Sequence, residues 1–238
     1  MPQVRINKYI ASTGSLSRRK ADELIIQGHV AVNGEKASPG DVIDPDRDEV
    51  TVDGRQIRPQ KTVYLAMYKP RNVVTTMHDP QGRPCVKDLV PKKYAGVFPV
   101  GRLDFDAEGL LLLTNDGSLA QALHHPSHDV PKTYIVKVIP RVDPDQVRKM
   151  EEGIELDGKI TRRAEIEVIR SHARGSTLKI TLRQGLKNQI KRMASAVGLK
   201  VTSIKRISVG PVSLEGLHPG RVRELSSSEI ARLRKILK

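Results

Sequence analysis

Between Gly109 and the turn residues Asn115-Asp116-Gly117 the chain runs Leu110-Leu111-Leu112-Leu113-Thr114, an apolar stretch with no polar interruption. Successive side chains of a strand point to opposite faces, so leucine at every position demands apolar cover on both sides. A short run of this kind between turn signals predicts a strand buried on both faces. Asp116 then reads as a turn residue or as the N-cap of a helix over SLAQALHH. A chain of 238 residues is long enough to bury such a core, in one large domain or in a small one plus a medium one.

Composition shifts near residue 60. RINKYIAS (5–12) predicts a short helix closed by Gly14, and SRRKADELIIQG (17–28) a second helix with Ser17 as N-cap and Gly28 as its stop. Alternating segments around Asn33-Gly34 and Asp53-Gly54 predict hairpins. Arg18, Arg19 and Lys20 fall in the first turn of their helix, where the macrodipole disfavours cations. A phosphate bound at that terminus explains the inversion; a solvated basic patch is the plainer alternative. Helix, S-R-R-x-A helix, then G-x-V-x-V-N-G strand resembles the small RNA-binding domain first known from a ribosomal protein. That resemblance covers 4–58 and implies RNA binding through Arg5, Lys8, Arg18, Arg19 and Lys20.

Beyond the linker RPQKTV (58–63), TVYLAMYKPRNVVTT (62–76) reads as an alternating strand carrying Lys69-Pro70. PKTYIVKV (131–138), AEIEVIR (164–170), STLKITLRQG (176–185) and VTSIKRISVGPVSL (201–214) read as further strands. NQIKRMASAVG (188–198) predicts a helix, with Ile190, Met193, Ala194 and Val197 on one face. SSSEIARLRKIL predicts a C-terminal helix with Ser226 and Glu229 as a capping box. Many strands with few helices between them imply an α+β fold around a mixed, largely antiparallel sheet with flanking helices. The expected division is a small α/β domain at 1–58, a linker at 59–63 and a catalytic domain at 64–238.

A formal net charge of +14 points to a polyanionic partner, and nucleic acid is the usual one. From Gln184 to Lys238 there are twelve basic and three acidic side chains. Aromatic residues at 3%, with no Trp, argue against stacking as the main binding device, so phosphate contacts should dominate. No segment approaches the roughly 18 apolar residues of a membrane span, and MPQVRINKYIAS lacks the apolar core of a secretory signal. A single cysteine, Cys85, excludes an internal disulfide and a cysteine-built zinc site. These features lead us to expect a cytoplasmic protein, monomeric and without a membrane partner.

Asp104, Asp106 and Glu108 precede the leucine strand, and three readings of them stand open. Two carboxylates could form a glycosidase-like acid/base pair. They could hold Mg²⁺, although the flanking segments are basic and no second acidic motif accompanies them. One carboxylate could act as a nucleophile kept ionised by a nearby cation.

GRLDFDAEGLLLLTNDG (101–117) resembles the signature of the RsuA-type ribosomal RNA pseudouridine synthases: G-R-L-D, four residues, then G-L-L-L-L-T-N-D-G. KTY (132–134) and QGLKNQIKRM (184–193) resemble two further motifs of that family, and the likeness spans nearly the whole chain. The resemblance implies a pseudouridine synthase fold, with Asp104 as catalytic aspartate, Tyr134 as active-site tyrosine, and Lys191 as the cation pairing with Asp104. It leaves Asp106 and Glu108 as bystanders. Many members carry Arg where Lys191 stands, so a single ammonium replaces a forked guanidinium. Arg102 is expected to fill the vacated base stack or hold a phosphate, and Lys187 and Arg192 to contact RNA.

What the resemblance implies is isomerisation of uridine in ribosomal RNA, of the large subunit if the likeness to the RluB/RluF-like branch holds, with no cofactor and no metal. The target uracil must leave its stack to reach a carboxylate expected to be buried. A non-catalytic ribosome assembly factor is the main alternative, disfavoured because binding alone does not need Asp104, Tyr134 and Lys191 together. A carbohydrate hydrolase fits the net charge poorly.

Overall fold

A computed structural model describes residues 3–14 and 16–236. Met1, Pro2, Ser15, Leu237 and Lys238, which include the ends of the stretches read for a leader and for the last helix, lie outside the described residues. The chain groups into two compact units, one of Met1–Val63 with Pro91–Phe98 and Thr114–Asp116, the other of Tyr64–Val90, Pro99–Leu113 and Gly117–Lys238.

The first unit holds β1 (Val4–Arg5), α1 (Ile6–Ser12), α2 (Arg18–Ile26), β2 (Val30–Val32), β3 (Glu35–Lys36), β4 (Val42–Ile43), β5 (Val50–Val52) and β6 (Arg55–Gln56). Ser17 caps α2 by accepting a hydrogen bond from the Lys20 amide at 3.1 Å. Asn33-Gly34 and Asp53-Gly54 all adopt positive φ, as a two-residue hairpin turn with the right-handed twist of its strands requires. The sheet order is β3-β2-β5-β6, and β1 pairs with β4. Ile6, Ile10, Ala21, Ile25, Val30 and Val50 fill the core between helices and sheet.

The second unit is built on a nine-stranded sheet. In chain order its elements are β7 (Tyr64–Lys69), α3 (Val86–Leu89), β8 (Phe98–Val100), β9 (Glu108–Thr114), α4 (Gly117–His124), β10 (Lys132–Ile139), α5 (Pro144–Glu152), β11 (Glu155–Leu156), β12 (Lys159–Ile160), β13 (Glu165–His172), β14 (Gly175–Leu182), α6 (Gln189–Ala196), β15 (Lys200–Val209), β16 (Val212–Ser213), β17 (Val222–Glu224) and α7 (Ser227–Ile236). The strands run β13-β14-β10-β15-β9-β7-β17, with β16 on β15, β8 on β9, and β11–β12 a separate hairpin. β10, β13, β14 and β17 pair antiparallel with their neighbours, and β15 and β9 lie parallel. The sheet is therefore mixed and largely antiparallel, as the strand-rich sequence implies.

Leu110 to Leu113 are all buried. Leu110 and Leu112 pack with Leu119 and Leu123 of α4 and Leu233 of α7, while Leu111 and Leu113 are buried on the other face. β7 corrects an expectation. It ends at Lys69 and does not run to residue 76, and all six of its residues are buried with no exposed alternation. Pro70 supplies no backbone donor, and Asn72 turns the chain with φ of 62°. Helix α5 was not anticipated, although Asp143 and Gln146 form a capping box around Pro144. The Ser226–Glu229 box at α7 is reciprocal, and Arg223 grips Glu229 at 2.8 Å through two nitrogens, holding that carboxyl down at about 2.

Gly109 is where β9 meets β15. Its φ is 115°, and a Cβ there would lie 2.2 Å from the Arg206 carbonyl oxygen and 2.6 Å from the Arg206 amide nitrogen. Both obstacles are backbone, so neither can swing aside. Gly109→Ala should lower unfolding free energy by about 3 kcal/mol or more, measured by urea melts against wild type.

Candidate active site

Asp104 stands on the turn between Leu103 and Ala107, directly before β9, and the segment after β7 fixes that turn. The Thr75 hydroxyl donates to the Leu103 carbonyl at 2.7 Å and accepts from the Leu103 amide at 3.2 Å. The Asn72 amide donates to the Phe105 carbonyl at 2.7 Å, and the Ala107 amide to the Asp104 carbonyl at 3.1 Å. The Lys69 ammonium, fully buried, donates to the carbonyls of Ala107 at 2.8 Å and Pro70 at 2.9 Å. Each such bond contributes about 1 kcal/mol net, and together they leave the turn little freedom.

Lys69 is the site residue whose role the sequence reading missed. Burial lowers its ammonium from 10.5 to about 8, while the Asp106 and Asp104 carboxylates work in the opposite direction. The sequence did flag it as Lys69-Pro70, but a lysine in an apolar strand gives no sign of which carbonyls it will serve.

Asp104 is exposed, with 44% of its side chain accessible, so the expectation of a buried carboxylate is corrected. A turn projecting from the end of a buried strand places its side chain in solvent even when its backbone is fixed. Phe105, between the two aspartates, is also exposed.

Lys191 lies in the first turn of α6, a helix anchored by Ile190, Met193 and Ala194 in the core. With no acid in its own first turn and a dipole unfavourable to cations, the helix start draws carboxylates from elsewhere. Arg192 is gripped by Asp157 of the β11–β12 hairpin at 2.9 and 2.7 Å. Lys191 reaches both Asp106 oxygens, at 2.7 and 2.8 Å, and comes within 3.9 Å of Asp104. The tight partner of Lys191 is thus Asp106, where a direct pair with Asp104 was expected. The Lys191 ammonium holds the Asp106 carboxyl below the usual range. Glu108 also has a partner, accepting from the Tyr68 hydroxyl at 3.0 Å.

Tyr134 is on β10, opposite Ile180 of β14 and Arg206 of β15. Its side chain is buried in the cluster that also contains Leu103 and Ala107 of the Asp104 turn and Ile190 of α6. Asp104 and Lys191, from two separate elements, are thus brought within 3.9 Å of each other, and Tyr134 belongs to the core cluster that anchors both elements. Arg102 and Lys187 are exposed, as are Arg5, Lys8, Arg18, Arg19 and Lys20, of which Lys20 bonds Glu23 at 2.8 Å. Among the described residues no group of three or more His, Cys, Asp or Glu side chains is placed to hold a metal ion, and no helix is long and apolar enough to cross a membrane.

Residues 63–196 match the family model described as RNA pseudouridylate synthase, and residues 4–50 match the S4 domain. The chain belongs to the RNA pseudouridylate synthase family. It is 42% identical over 237 residues to an uncharacterised RNA pseudouridine synthase of Aquifex aeolicus, covering 99% of this chain and 95% of that one. It is 38% identical to the ribosomal large subunit pseudouridine synthase B of Bacillus subtilis, covering 98% and 96%. A pseudouridylate synthase known from its crystal structure shares the fold with a TM-score of 0.71 at 32% identity, over 97% of this chain and 99% of that one. The synthase is accordingly an isomerase with an S4 domain, and RNA is its partner.

The buried ammonium makes stability depend on pH. Lys69 loses its proton near 8 when folded and near 10.5 when unfolded, so between these values the native state binds fewer protons and the Lys69 contribution rises with pH. Urea melts of wild type and Lys69→Met at about pH 7.5 and about pH 10 should show the difference moving in favour of wild type by about 2 kcal/mol. A difference that stays constant would mean that the ammonium is not desolvated.

Proposed function

We propose that this synthase isomerises uridine in large-subunit ribosomal RNA, with Asp104 as the nucleophile, working as a cytoplasmic monomer. What carries the reading is a carboxylate on a backbone-pinned turn, 3.9 Å from an ammonium. Its large-subunit part rests on likeness to the Bacillus subtilis enzyme of that name over nearly the full length of both chains.

The reaction breaks the bond from ribose C1′ to uracil N1 and forms one from C1′ to C5. C5 gives up a proton and N1 gains one, so the sum is an isomerisation. Asp104, solvent-facing and charged, is available to a nucleotide drawn out of its stack. Lys191 brings a positive charge to within 3.9 Å of that carboxylate, and Tyr134 is the residue assigned to meet the uracil. Arg102, beside Asp104 on the exposed turn, is placed to fill the vacated stack or to meet a phosphate. In the proposed division of labour, residues 1–58 hold RNA through Arg5, Lys8 and the start of α2, and residues 64–238 carry the chemistry, with Lys187 adding a phosphate contact. Arg192, already gripped by Asp157, has less freedom to join it.

Asp104→Asn should abolish pseudouridine formation, read as tritium release from uridine labelled at C5, and leave RNA affinity within about threefold of wild type. Full activity in that variant would sink the nucleophile assignment. Chemical mapping of pseudouridine in rRNA from a deletion strain should show the loss of a large-subunit position, and a loss confined to the small subunit would overturn the substrate reading.

A further inference from the structure

We propose that Phe105 is the stacking contact of the site, its ring covering the base next to the uridine once that uridine has been drawn out of the strand. The proposal rests on reading the Asp104 turn as the place where the uridine is received. Of the seven Phe and Tyr rings in the chain, Tyr9, Tyr64, Tyr68 and Tyr134 are buried and Tyr94 is half-buried. Phe98 is 37% exposed, and Phe105, at 47%, is the most exposed of all. It joins none of the core clusters among the described residues.

A lone apolar side chain at the surface is ordinary. What sets Phe105 apart is where and how it is held. Asp104 and Asp106 on either side of it also reach solvent, so the ring is presented beside the carboxylate itself. Its backbone is clamped: the Asn72 amide donates to its carbonyl at 2.7 Å, and the Ala107 amide closes the turn on the Asp104 carbonyl at 3.1 Å. Thr75 grips Leu103 just before it. A ring on a fixed backbone has only two side-chain torsions left to order, so stacking costs it little entropy.

The surroundings select the partner. Arg71 is exposed and its charge bears on Asp106, and Arg102, three residues before Phe105, is exposed as well. An apolar ring accompanied by exposed guanidinium groups matches a nucleic-acid strand, which offers flat base faces beside phosphates. Extruding a uridine leaves each neighbouring base with one bare face, and a ring laid on that face returns stacking that the flip removed. Of the two roles open to Arg102, this leaves it the phosphate.

The test uses the full-length protein and large-subunit rRNA prepared from a strain lacking it, tritiated at C5 of its uridines. Phe105→Ala should raise KM about tenfold and leave kcat within about twofold. Phe105→Tyr, which keeps the ring, should recover most of that loss. A wild-type KM in Phe105→Ala, or a loss confined to kcat, would overturn the proposal. A second arm uses two synthetic RNA hairpins around the uridine found by deletion-strain mapping, each abasic at one of its two neighbours. On one of them the gap between wild type and Phe105→Ala should shrink to within about twofold, because the ring has no base left to cover. A gap that persists on both hairpins also overturns the proposal. Thermal melts verify that each variant is folded, and if Phe105→Ala is not, Phe105→Leu takes its place, with KM raised at least about threefold. Asp104→Asn, assayed in parallel, separates the two claims: activity there removes the nucleophile reading, whereas an inactive Asp104→Asn with a wild-type KM in Phe105→Ala removes only this proposal.

Discussion

The Lys69 ammonium, buried where β7 ends, binds the carbonyl of Ala107 just as β9 begins. Everything at the site is referred to that bond. It ties two central strands together at the point where one must give way to the Asp104 turn, and it places a positive charge beneath two carboxylates. Asn72 and Thr75, a few residues on, take up the Phe105 and Leu103 backbone. A short stretch of chain thus serves as the rear support of the whole turn. Burying a lysine is costly unless its donors are used. Here carbonyl oxygens use them, and the neighbouring acids lessen the penalty.

The strand behind the turn adds stiffness. β9 is apolar on both faces because it lies inside a sheet covered on both faces, and its first residues approach β15 so closely that only glycine fits at position 109. Arg206, whose backbone closes that gap, sends its guanidinium to the Leu110 carbonyl at 2.7 Å. In the mechanism proposed above the leucine run would contribute indirectly, since a carboxylate can be held within a fraction of an ångström only if its support does not move.

Cations at helix starts recur in this chain, and their surroundings distinguish their roles. At α6, Lys191 and Arg192 each recruit an aspartate distant in sequence, which turns an unfavourable dipole position into a fixed geometry. At α2, Arg18 and Arg19 face solvent and Lys20 takes only its local Glu23. The first arrangement suits precise placement. The second suits a mobile polyanion such as RNA, met by charges that face solvent.

Local rules were enough to read the paired turns at Asn33-Gly34 and Asp53-Gly54, the Ser17 and Ser226–Glu229 caps, the helical face of Ile190, Met193 and Ala194, and a strand of leucines that must be covered twice. Each depends on neighbours a few residues away. The sequence by itself also determined which chemistry-bearing side chains exist: an aspartate before that strand, a tyrosine within another, and a lysine at a helix start. It could not tell that Lys69 would support the turn, that Asp104 would face solvent, or that Asp106, which resembled filler, would take the ammonium expected to pair with Asp104. Those outcomes depend on distances between residues far apart in the chain, and a change of about 1 Å decides which of two neighbouring carboxylates a lysine bonds. Such distances are set by the packing of β7, β9 and α6 together, so only the tertiary structure decided them.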